Sequence, residues 1–111
     1  MTYIKDYTGR VLYTIRDDFI CTFEGRMLYQ LRGNRLSEFA GHCVYVIEDE
    51  YIKDPYGKII YQIDGNNIRP FADHIRYRID GSNIVNHFGR ILYMIDGPIT
   101  RTMLMALIAI I

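Results

Sequence analysis

Tryptophan is absent from the 111 residues, cysteine occurs twice, proline three times, and 13 basic residues balance 13 acidic ones. Each shortage excludes something. Two cysteines, Cys21 and Cys43, cannot build the disulfide framework of a small secreted domain. A formal net charge of zero argues against nucleic acid as a partner. The longest uncharged apolar run, Met103 to Ile111, has nine residues. As a helix it would span about 14 Å, roughly half the hydrocarbon core of a bilayer, so it cannot cross a membrane alone. Met1-Thr2-Tyr3-Ile4 leads straight into patterned sequence rather than a secretory leader, so the expectation is a cytoplasmic protein with free thiols.

What is abundant is tyrosine, ten residues, and glycine, nine. Their spacing is regular. Tyr13, Tyr29, Tyr45, Tyr61, Tyr77 and Tyr93 recur every 16 residues. Gly9, Gly25, Gly41, Gly57 and Gly89 stand four residues earlier, with Asp73 in the fifth copy. Two residues after each Tyr comes Ile15, Leu31, Ile47, Ile63, Ile79 or Ile95, and a further apolar column is Ile4, Ile20, Leu36, Ile52, Ile68 and Ile84. Six uninterrupted copies at one period must be structurally equivalent units.

Within a unit the residues after Gly alternate. Ile91, Tyr93 and Ile95 are expected on one face, Leu92 and Met94 on the other, which is the period of a strand. The strand runs into Asp64-Gly65, Asp80-Gly81 or Asp96-Gly97, dipeptides suited to tight hairpin turns. A shorter segment such as Ile68-Arg69-Pro70-Phe71 returns to the next Gly turn. Six units therefore predict about twelve antiparallel strands in a meander.

Such a meander leaves two bare edges unless it closes into a barrel. Twelve strands about 4.8 Å apart, tilted about 40°, give a backbone radius of roughly 12 Å. Inward side chains then leave a bore of roughly 12 Å, the width of one helix, and a barrel about 15 Å tall. The residues from Thr102 to Ile111 form a helix of about that length, apolar on every side, as a buried helix is. The sequence thus predicts one all-β domain over 1–111: hairpin repeats over 4–99, and an apolar helix over 100–111 that threads the closed barrel. Thr100 or Thr102 would cap the helix.

The architecture resembles the tubby-like fold, a group that includes the tubby C-terminal domain, the plant LURP-one-related proteins and phospholipid scramblases. The segments YIKDYTGRVLYTI and YIKDPYGKIIYQI are similar to the LURP-one style of strand, D-x-x-G turn, strand and Y-x-I, and MLMALIAII resembles its terminal helix. The likeness spans nearly the whole chain, in a compact, near-symmetric form. A second resemblance is to small bacterial beta-flower hairpin-repeat proteins, which share a G-x-x-x-Y-x-I-x-G rhythm. The tubby-like resemblance implies phospholipid-headgroup binding; neither transfers a catalytic residue.

The candidate binding residues follow from the repeat. Directly after each Gly position stands a basic column, Arg10, Arg26, His42, Lys58, His74 and Arg90, which in a closed ring crowns one rim. Read functionally, it is an anion or headgroup site. Read structurally, it is a self-neutralised rim, since Asp6, Glu24, Glu38, Asp54 and Asp73 accompany Arg10, Arg26, Lys58 and Arg90. The opposite rim carries eight carboxylates (Asp17, Asp18, Glu48, Asp49, Glu50, Asp64, Asp80 and Asp96) against Arg16, Arg32 and Arg35, yet without an Asp-rich calcium loop. His42, His74, His87, Cys21 and Cys43 lack metal-ligand spacing, so no metal or cofactor is implied. The Tyr column reads as a packing belt or, alternatively, as a sugar-stacking surface. The fifth copy breaks the pattern most, with Asp73, His74, Arg76 and Arg78, and is the first place to look for a site.

The leading functional expectation is a non-enzymatic interaction or scaffold module with a protein partner. Binding to an anionic lipid headgroup and binding to carbohydrate are the alternatives. The threaded-barrel reading is directly testable: deleting residues 102–111 removes the predicted core, and an insoluble or molten chain is expected by circular dichroism. A truncated chain with a sharp cooperative melt would overturn it.

Overall fold

A computed structural model of the chain describes residues 1–48, 50–70 and 75–111. These form the strands β1 (Thr2–Asp6), β2 (Val11–Arg16), β3 (Phe19–Thr22), β4 (Met27–Arg32), β5 (Arg35–Glu38), β6 (Cys43–Glu48), β7 (Tyr51–Lys53), β8 (Ile59–Asp64), β9 (Asn67–Pro70), β10 (Tyr77–Asp80), β11 (Asn83–Val85) and β12 (Ile91–Asp96), followed by the helix α1 (Arg101–Ile110). Every strand pairs antiparallel with its chain neighbours, and β12 returns to β1 to close the barrel. Closure uses the register Tyr3↔Asp96, Ile4↔Ile95, Lys5↔Met94 and Asp6↔Tyr93. Among the described strands no edge is left to pair with another chain.

The expected alternation holds only from each Tyr onward. Between β11 and β12 the register slips, so that Ile84 faces Tyr93 while Val85 faces Ile91, and Leu92 has no partner. The same one-residue bulge recurs at Leu12, Leu28, Val44 and Ile60. An extra residue on one strand reverses the side-chain facing across it. Ile91 is therefore exposed rather than turned inward, whereas Leu92 is half-buried against the core. The side-chain period failed at this point because a bulge adds a residue without changing the 16-residue repeat.

Three inward tiers line the barrel. Ile4, Ile20, Leu36, Ile52, Ile68 and Ile84 are completely buried. On one side of them lie Ile15, Leu31, Ile47, Ile63 and Ile95, with Ile79 half-buried. The Tyr column forms the third tier: Tyr61 and Tyr77 are buried and the other four half-buried. The tyrosines thus face inward and pack against the core.

The helix fills what remains. Met105, Ala106, Leu107, Ile108 and Ala109 are consecutive and all buried, and five successive residues at 100° steps cover every face of a helix. Only the lumen of the closed barrel buries a helix in this way. Met103 sits among Ile15 and Leu31 at one mouth, and Ile110 beside Tyr13 and Tyr29 at the other, so α1 runs from end to end. The short axis of the molecule, 17 Å, matches the roughly 15 Å of a ten-residue helix. Of the two predicted caps, Thr100 is used: its Oγ1 accepts from Met103 N at 3.1 Å.

The last repeat leads into the helix through Gly97, at φ +126°, where an added Cβ would lie 2.9 Å from Thr2 Oγ1 and 3.0 Å from Met1 O. Thr2, buried, donates its hydroxyl to Pro98 O across the same junction. Gly57, by contrast, has φ +92° and open space around it. Gly57→Ala should cost about 1–2 kcal/mol from backbone conformation alone. Gly97→Ala should cost more, because backbone atoms must also move. Urea unfolding of the two variants checks the order; equal losses would show that the junction is not tightly packed.

Candidate functional site

The two ends of the barrel are built from different turns. At one end, two-residue loops join strands within a unit, as Gly65-Asn66 joins β8 to β9 through the pair Asp64↔Asn67. Gly33, Gly65 and Gly81 occupy the first loop position at φ near +60°, and Asp17 holds the equivalent place in the first copy at φ 52°. The positive φ is confined to that first position, as in a type II′ turn. The second loop residue is stitched to the following unit: Asn34, Glu50, Asn66 and Ser82 accept at their carbonyls from Ile47, Ile63, Ile79 and Ile95 N–H. Asp17, Asp18, Glu48, Glu50, Asp64, Asp80 and Asp96 stand on this rim, exposed. Four of them are paired, Glu48 with Lys53, Asp64 with Arg69, Asp96 with Lys5 and Glu50 with Arg101, at 3.0 to 3.7 Å. The cleft here, about 510 Å³, surrounds the entry of α1, with Met103 in its lining. Asp49 lies outside the described residues.

At the other end the units are joined by longer turns closed by the repeated Gly. In the first, Gly9 N–H donates to Asp6 O and Asp6 N–H to Arg10 O. The Asp6 side chain completes the loop: its Oδ1 accepts from Thr8 N–H, Thr8 Oγ1 and Arg10 N–H. Asp54 accepts in the same way from Tyr56 and Lys58, and Asn86 from Phe88 and Arg90. The hydrogen bond from Thr8, with the amides of Arg10 and Thr8 and the Arg10 charge, holds the Asp6 carboxyl below its ordinary value against a smaller opposing effect of desolvation.

Arg10, Arg26, Lys58 and Arg90 follow the Gly in their turns and are exposed on this rim, as the basic column predicted. Asp73 and His74 lie outside the described residues. Arg76 and Arg78 are both exposed. The Arg76 guanidinium sits 5.7 Å from the centre of the Tyr77 ring, in the position the other units give to a bulged apolar residue. Arg78 extends along the outer wall toward Gly89.

A feature missed from the sequence dominates this rim. Tyr7, Phe23, Phe39, Tyr56 and Phe88 are 66, 62, 62, 94 and 83% exposed, each at a Gly-turn tip. The signal was available: an aromatic residue occurs one or two places before Gly9, Gly25, Gly41, Gly57 and Gly89. It slides between two columns, so a strict 16-residue alignment divides it. Beneath the tips the Tyr column closes a ring around the end of α1. The Tyr61 and Tyr77 rings pack with centroids 6.5 Å apart, tilted by 52°. Burial pushes the Tyr29, Tyr61 and Tyr93 phenols up, and the neighbouring phenols of the column push in the same direction.

Between neighbouring turns run grooves. One, of about 350 Å³, is lined by Asp6, Tyr7, Arg90, Leu92 and Tyr93 among others. A second, of about 400 Å³, is lined by Glu38, Phe39, Arg26, Leu28 and Tyr29. These sets occupy the same positions in the repeat. Among the described residues no group of three His, Cys, Asp or Glu side chains is placed to hold a metal ion. Cys21 is buried, with its thiol pushed up by desolvation, and Cys43 donates to Tyr45 O at 3.6 Å.

Among the described residues no helix is long and apolar enough to cross a membrane. No family model, curated protein or solved structure matches the chain.

The Asp6 turn makes a pH prediction. A carboxyl whose folded pKa is depressed contributes stability that is present above its unfolded value, about 3.9, and lost as pH falls through the folded one. Asp6→Asn should keep the turn, because Asn86 makes the equivalent bonds. It should also reduce the fall in melting temperature between about pH 5 and pH 2. An unchanged acid profile would show that Asp6 contributes nothing to it.

Proposed function

We propose that the chain is a non-enzymatic interaction module whose contact face is the Gly-turn rim. The observation that carries this reading is the exposed aromatic ring at each described turn tip. Exposed apolar groups gathered on one end of a folded chain mark a contact surface. The lumen, which holds ligand in barrels of other kinds, is occupied by α1. The free thiols of Cys21 and Cys43 support a reducing compartment.

A second reading is association with an anionic membrane surface, which the likeness to tubby-like barrels implies. It is favoured by Arg10, Arg26, Lys58 and Arg90 standing beside exposed aromatic rings. Aromatic rings and cations together are what a headgroup layer accepts.

A photo-crosslinking residue at Tyr56, 94% exposed, compared with one at Asp80 on the acidic rim, tests the contact face in cells that express the protein. Adducts are expected from position 56 and not from 80; the reverse, or adducts at neither, would overturn the proposal. Flotation with phosphatidylserine vesicles at low salt tests the second reading. Co-flotation that Phe39→Ala/Tyr56→Ala weakens would support it, and none at low salt would remove it.

A further inference from the structure

The two grooves between Gly turns carry more than a general contact surface. They are repeat-equivalent: Asp6, Tyr7, Arg90, Leu92 and Tyr93 in one match Glu38, Phe39, Arg26, Leu28 and Tyr29 in the other. Each offers an exposed aromatic ring on the turn, an inward Tyr beneath it, one carboxylate and one guanidinium. In neither groove have the two charges closed on each other, since the ion pairs of the described residues are Lys5–Asp96, Lys53–Glu48, Arg69–Asp64 and Arg101–Glu50. The bonds of the Asp6 carboxylate to its turn all use Oδ1, which leaves Oδ2 for a ligand. Arg90 lies over the Tyr7 ring at 6.0 Å, so ring and cation are held together at the lip of the groove.

We infer that the grooves between Gly turns bind neutral saccharides, one groove to each sugar or pair of sugars. This rests on the reading that the Gly-turn rim is the contact face. A sugar ring has an apolar face of C–H groups that packs on an aromatic ring, and an edge of hydroxyls that both donate and accept. The carboxylate takes donors and the guanidinium supplies them, so the polar pair suits a polyol. An anionic ligand would gain from Arg90 or Arg26 and lose to Asp6 or Glu38 in the same groove. Volumes of about 350 and 400 Å³ lie at the small end of ligand sites, with room for one or two sugar rings. Repetition around the rim adds a second property. Thr22, Asp54 and Asn86 occupy the position of Asp6 in other turns, and Arg10, His42 and Lys58 that of Arg90. A chain long enough to reach neighbouring grooves gains by effective concentration without new contacts.

The intact protein is titrated with cellotetraose, chitotetraose and maltotetraose, and with tetragalacturonate as the charged comparison, following by NMR the backbone amide signals of Arg90 and Arg26, which line the two grooves. At least one neutral tetrasaccharide is expected to shift both signals, with affinity changing less than about twofold between low and high salt because no net charge is neutralised. Tyr7→Ala/Phe39→Ala should weaken that binding by about tenfold or more. Both side chains are exposed, so the melting temperature should stay close to the parent, and the melt confirms that the variant folds. The inference is overturned if all three neutral probes fail to bind at about 10 mM, the weak end of specific affinity. It is equally overturned if the double variant binds unchanged or tetragalacturonate binds more tightly than every neutral probe. Crosslinks at Tyr56 that persist without saccharide binding would sink this inference and leave the rim as the contact face; loss of both would remove the two together.

Discussion

A barrel of about eight strands can fill its interior with its own side chains, but one of twelve leaves an open lumen. Everything else in this molecule depends on how that lumen is filled. Six short hairpins bury one apolar residue each at the middle tier, and these residues form one core cluster with the buried residues of α1. The hairpins and the helix need each other. Strands of three to six residues form no stable sheet without a face to pack on, and a helix apolar all round has no place in water. The arrangement also explains the uniformity of the columns: six neighbours around one central cylinder face nearly the same environment.

The two ends differ because the two kinds of turn differ. Type II′ loops are short and hold the chain close to the barrel wall, and their carbonyls stitch each unit to the next. This end is wet and acidic, with four of its carboxylates tied to bases on the barrel wall or the start of α1. The Gly turns are longer and are satisfied within themselves by Asp6, Asp54 and Asn86. A turn that supplies its own hydrogen bonds leaves its tip side chains unengaged, so aromatic rings stand there in solvent. The contact face proposed above is the end whose grooves repeat.

Much of the fold was legible because a repeat overdetermines it. Tyr and Gly at a fixed spacing of 16, with Ile two residues beyond, left little besides a hairpin meander, and counting strands against the length of the apolar tail led to a threaded barrel. The bulges were not legible. Leu92 looks like any strand residue, and only pairing with β11 shows that it has no partner. The candidate site was legible in part. Arg10, Arg26, Lys58 and Arg90 stand on the predicted rim, but Arg76 and Arg78 point to different neighbours. The turn aromatics escaped notice because they alternate between adjacent columns.

By itself, then, the sequence determined the six-unit periodicity, the antiparallel connectivity, the need for closure and the segment that fills the interior, since each follows from local periodicity and from apolar surface that must be buried. Only the tertiary structure decided which way the Tyr column faces, where the bulges reverse the strand pattern, and which charges pair across units. Those depend on register between strands, and a one-residue slip in register exchanges inside for outside. The grooves also exist only there. Asp6 and Tyr7 meet Arg90 through the closure of β1 on β12, a contact between the first and last copies that no local pattern encodes.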